Sequence, residues 1–162
     1  MPSRKAPENP LLDSLLDQTD EAFADDDPGR ALALSEEALL LAPRSVDALH
    51  YRAAALRGLG RAEDAHEAYV KALKAAPDDR DVLRGAIELL ALDFADDHEA
   101  LDDALELSQR ALKLARRTND PEILTEFLLL AGLALDARGE FKPALAVLDE
   151  AEEAALDAGD AR

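Results

Sequence analysis

Alanines recur along the chain in pairs seven residues apart: Ala31 with Ala38, Ala65 with Ala72, Ala104 with Ala111, and Ala144 with Ala151. Seven residues is two helical turns, so each pair lies on one helix face, where a small side chain lets two backbones come close. Leucines fill the neighbouring positions, and punctuation separates the runs. Asp27-Pro28 offers an N-cap followed by proline at the first helical position. Gly58, Gly60 and Gly139 supply permissive turns between paired helices. Pro43, Pro77 and Pro121 stop one pair and admit the next, since proline cannot continue a helix interior. The pattern predicts helices over 10–24, 28–42, 46–58, 62–76, 79–93, 98–117, 121–138 and 141–157.

The punctuation repeats with the alanines. Ala31, Ala38 and Pro43 return 34 residues later as Ala65, Ala72 and Pro77, and the pair then recurs after steps of 39 and 40 residues. Self-similarity at such a period is the mark of a repeat architecture. Four units are expected, over 11–45, 46–79, 80–118 and 119–158, behind a disordered N-terminal tail at 1–10.

The segment Val46 to Asp79 resembles the tetratricopeptide repeat, with Leu49, Ala53, Leu56, Gly60, Ala65, Tyr69, Ala72 and Pro77 at the signature positions. The fourth unit resembles a longer variety, through Leu128, Gly132, Leu135, Gly139, Ala144, Leu148 and Ala151. The first departs at Thr19, where Gly or Ala is usual, and at Ser35, which replaces the aromatic. The third departs further, with Ile87 at the small-residue place and about five extra residues around Asp93 to His98. The resemblance implies an all-α fold, an alpha-alpha superhelix of about four antiparallel helix pairs, with a concave groove lined by the first helix of each pair. Carried over position by position, that groove holds Asp13, Leu16, Asp20 and Phe23; Asp47, His50, Ala54 and Arg57; Asp81, Arg84 and Glu88; and Glu126, Leu129, Leu133 and Asp136. Seven carboxylates against two guanidiniums make it acidic, and Leu16, Phe23, Leu129 and Leu133 add apolar anchors. A basic, amphipathic segment fits such a surface. The equal alternative is that the acids are simply a solvated face. The family's clamp for acidic chaperone tails needs Lys, Asn and Arg where this chain has Asp13, Leu16, Asp20, Asp47 and His50, so that ligand is rejected.

Terminal repeats need a polar outer face. Leu39, Leu73 and Leu112 follow the second alanine of their units, and in the fourth unit that place is Glu152. The acid predicts an array that ends there, hence a monomer. Leu145, Leu148 and Ala155 keep open a dimer through the C-terminal end.

Charge narrows the partners. Asp and Glu number 36 against 18 Lys and Arg, a formal charge of −18, which repels the nucleic-acid backbone and anionic membrane surfaces. The bias fits a basic partner, and equally solubility or a salty cytoplasm. No apolar run approaches the roughly 18 residues of a membrane span, so a cytoplasmic protein is expected. With no cysteine and only His50, His66 and His98, none at i, i+4 spacing, neither thiol chemistry nor a helical metal site is expected, and no cofactor. Val70 stands where a metalloprotease motif opened by His66-Glu67 would need its second histidine. In Asp25-Asp26-Asp27-Pro28-Gly29 the proline and the misplaced glycine spoil a calcium loop. No catalytic constellation emerges, and an enzyme is not expected. The expected function is a protein–protein interaction or scaffold module. The alternatives are a secretion-type chaperone and a structural subunit that assembles end to end.

Overall fold

The computed structural model describes residues 9–160. All regular structure in them is helical: α1 (Pro10–Ala24), α2 (Pro28–Leu41), α3 (Val46–Gly58), α4 (Ala62–Ala75), α5 (Arg80–Asp93), α6 (His98–Thr118), α7 (Pro121–Ala137) and α8 (Phe141–Asp160). Residues 1–8 of the expected tail lie outside the described residues, while Asn9 and Pro10 already form the start of α1. Two compact units divide the chain at Ala75 and Ala76, each holding two antiparallel helix pairs.

Local chemistry sets the boundaries. Asn9, Asp27, Ser45, Asp79, Asp97 and Asp120 each accept a backbone N–H of the first turn that follows, as in Arg30 N to Asp27 Oδ1 at 2.9 Å and Glu122 N to Asp120 Oδ1 at 2.9 Å. Such a cap satisfies donors that a helix start leaves orphaned. Four of the six caps are aspartates, so part of the acidic composition serves helix initiation.

Helix ends repeat one device. Arg61 N donates to Leu56 O at 2.9 Å, Glu140 N to Leu135 O at 2.8 Å, and Asp27 N to Ala22 O at 2.9 Å. In each, the residue before the donor is left-handed: Gly60 at φ 72°, Gly139 at φ 81°, Asp26 at φ 56°. Glycine enters that region without a Cβ penalty. Gly60→Ala is therefore expected to lower stability by about 1 kcal/mol, read as a lower urea midpoint. Gly58, expected to be a turn residue, is instead the last helical residue of α3. A Cβ there would lie 3.0 Å from Pro28 Cβ, so this glycine serves a close approach between α3 and the start of α2.

Alanines form the seams. In unit 1, Ala22 of α1, Ala31 of α2 and Ala55 of α3 meet in one cluster, and Leu15, Ala38 and Ala48 in another. In unit 2, Leu90, Ala91, Ala100, Ala104 and Ala134 join α5, α6 and α7. Side chains this small allow helix axes to approach at the short end of about 8–10 Å. The hydroxyls at departing positions are also absorbed. Thr19, Ser35 and Ser108 are buried, and donate to Leu15 O (2.7 Å), Leu32 O (2.9 Å) and Ala104 O (2.7 Å), so burial strands no donor. Ile87 is fully buried in unit 2, so its helix pair closes around a larger side chain. The extra residues there form a turn from Phe94 to the cap Asp97, whose N–H returns to Phe94 O at 2.9 Å.

Candidate functional site

None of the fifteen groove positions is buried; each is exposed or half-buried on α1, α3, α5 or α7. Solvent access is the first requirement of a binding face, and it separates these positions from Leu15, Leu49 and Leu128 on the same helices, which are buried.

In unit 1, Asp20 and Phe23 on α1 come together with His50 on α3 through Tyr51, which sequence reasoning passed over. The Tyr51 hydroxyl donates to Asp20 Oδ1 at 2.6 Å, and its ring lies 5.9 Å from Phe23 and 5.8 Å from His50, both tilted. His50 also stands 6.1 Å from Tyr69 of α4. The result is a small aromatic cluster with acids beside it. The available signal was a second aromatic residue next to a groove histidine, one place off the inherited positions. Asp13 and Asp47 are exposed or half-buried, and neither forms an ion pair among the described residues.

In unit 2 the acids are largely answered. Arg84 pairs with Asp81 at 3.2 Å and with Glu126 at 3.6 Å, and Arg80, also not anticipated, pairs with Glu126. The two bridges to Glu126 tie α5 to α7, and each is worth only a few tenths of a kcal/mol to about 1 kcal/mol, because its arginine is solvated. Their larger effect is on charge, since the α5 and α7 face presents less negative potential than its list of carboxylates suggests. The acidic character belongs chiefly to unit 1.

The remaining α7 positions go elsewhere. Leu129, Leu133 and Asp136 line a groove of about 500 Å³ with Phe141, Leu145 and Leu148 of α8, floored by Gly132 and Ala144. A Cβ on Gly132 would fall 2.9 Å from Leu148 Cδ2, so glycine there admits the leucine. This outer face corrects the expectation drawn from Glu152. The acid is exposed, but Leu145 and Leu156 on the same helix are exposed too, so the face is not uniformly polar.

Among the described residues, no three His, Cys, Asp or Glu side chains are placed to hold a metal ion, and no helix is long and apolar enough to cross a membrane.

Residues 46–89 match the tetratricopeptide repeat. A thermophilic tetratricopeptide-repeat protein from Thermus thermophilus superposes with a TM-score of 0.73 at 23% identity, over 86% of this chain and 72% of that one. Residues 46–89 thus carry a tetratricopeptide repeat, and the chain shares the fold of a solved tetratricopeptide-repeat protein. MamA is similar in fold, at a TM-score of 0.74 and 15% identity over 92% of this chain and 81% of that one. So is the part of MamA from residue 41 onward from Desulfovibrio magneticus RS-1, at 0.71 and 18%, over 90% and 76%. No curated protein matches the chain in sequence. Tetratricopeptide repeats serve protein–protein interaction and scaffolding, and the match at residues 46–89 supports that coarse role.

Proposed function

We propose that this tetratricopeptide-repeat protein binds a basic, amphipathic segment of another protein on the exposed faces of its first helices, chiefly α1 and α3. The observation that carries the reading is the composition of the unit 1 face. Asp13, Asp20 and Asp47, all open to solvent, stand on helices that also present half-buried Leu16, Phe23 and Tyr51. Lysine or arginine on the incoming segment meets the acids, raising association rate and selectivity, while an apolar side chain rests on Phe23 and Tyr51. Binding, not catalysis, is the role this surface supports.

The test is capture of proteins by the immobilised chain from a lysate of its source cells, with bound proteins identified by mass spectrometry. The expected result is that Asp13→Arg with Asp47→Arg abolishes capture of lysine- and arginine-rich partners while the circular dichroism spectrum stays unchanged. Capture indifferent to that double reversal would sink the proposal. A secretion-type chaperone would make the same contact with an export substrate. An end-to-end subunit would instead show a mass that rises with concentration in light scattering.

A further inference from the structure

The chain itself shows what kind of surface covers the outer face of a helix pair. In unit 1 the residue after the first alanine of α2, Leu32, packs in the cluster that contains Ala55 of α3. In unit 2 its counterpart on α6, Leu105, packs in the cluster that contains Ala134 of α7. On α8 the same place is Leu145, which is 62% exposed. Leu148 is 39% exposed, and Phe141 and Leu156 are each 64% exposed. These four share one helix face, along roughly 22 Å. Twice within this protein such a leucine packs against a cluster that includes an alanine of the following helix, and among the described residues the face of α7 and α8 is open.

Charge selects among helices. The residue after the second alanine is Leu39 on α2, packed in the cluster with Ala48 of α3, and Leu112 on α6, which is buried. On α8 it is Glu152, exposed in the middle of the apolar stripe, and Asp136 of α7 lines the same groove. A helix seated there must set a cation opposite an acid. A second copy does not supply one from α1, whose sequence carries Asp13, Asp17, Asp20 and Glu21 and no basic residue. Two α8 faces laid together would bring together chains that each carry a formal −18.

We propose that the open face of α7 and α8 docks a basic amphipathic helix of another protein, with small and apolar side chains on Leu145 and Leu148 and a lysine or arginine against Glu152. This rests on the reading of the chain as a protein-binding module and places a contact on a face separate from α1 and α3.

The probe is a fluorescently labelled synthetic helix of about five turns, with alanine and leucine on one face and lysines flanking it, titrated with the full chain at physiological salt. A control peptide keeps the lysines and replaces the leucines by serine. Saturable one-to-one binding is expected, weakened about tenfold by Leu145→Ser and about tenfold by Glu152→Lys, with the control peptide failing to saturate. Both side chains are exposed, so urea midpoints should stay at the wild-type value and confirm that the variants fold. No saturable binding, equal binding of the control peptide, or an affinity indifferent to Leu145→Ser would each overturn the inference. So would a sedimentation mass of two chains that Leu145→Ser reduces to one, since a second copy would then cover the face. Asp13→Arg with Asp47→Arg is expected to leave this peptide's affinity within about twofold. Loss there, with Leu145→Ser silent, would transfer the peptide to the first helices and overturn this inference alone.

Discussion

Leu56→Ala should lower the free energy of unfolding by about 2–5 kcal/mol. Leu56 is fully buried in α3, the helix that packs on both α2 and α4 in unit 1. Truncation removes the transfer free energy of the lost carbons and leaves a cavity. The surroundings have little means of filling it, because much of the buried surface in this unit is alanine, and alanine has no rotamer with which to reach into a void. A shift in urea midpoint measures the effect. Leu40→Ala is the matched control, because Leu40 is 83% exposed and its loss should fall within about 0.5 kcal/mol of zero. Equal midpoints for the two variants would show that Leu56 is not part of the packed core.

Ala38→Leu is expected to cost about 1–3 kcal/mol by the opposite mechanism. Ala38 of α2 is fully buried with Leu15 of α1 and Ala48 of α3. Three added carbons must displace one of these helices or force an off-rotamer side chain. Ala72→Leu, at a fully buried place on α4, should behave alike. The measurement is again the urea midpoint, paired with far-ultraviolet circular dichroism. A retained midpoint in both variants would mean that the alanines do not set helix spacing, and the repeat alignment would lose its physical basis.

Helix boundaries were legible because they are written in local chemistry. Asp27-Pro28 caps and opens α2, and Gly60 and Gly139 end α3 and α7 in left-handed turns, all through interactions between near neighbours in sequence. Gly58 shows the limit of that reading. It too stands between paired helices, but its role is set by Pro28, which is distant in sequence and in contact only after folding. The site divides similarly. That the inherited positions lie on α1, α3, α5 and α7 was implied by the family resemblance, and each is exposed or half-buried. That Tyr51 joins Asp20 to Phe23, and that Arg80 and Arg84 neutralise Glu126, did not, because each contact joins two helices far apart in sequence and depends on side-chain direction.

Glu152 carries the same lesson at the end of the array. As one letter in an alignment it replaced a leucine and promised a polar end, but the exposure of a face is the sum over every side chain on it. Leu145, Leu148 and Phe141 are exposed there beside the acids. Alanine spacing, caps and turn residues thus determined the number, kind and order of the helices, because helical period and capping bonds act along the chain. The tertiary structure alone decided which acids keep their charge uncompensated and which leucines stay exposed among the described residues, because electrostatic compensation and burial depend on neighbours that folding brings from far along the sequence.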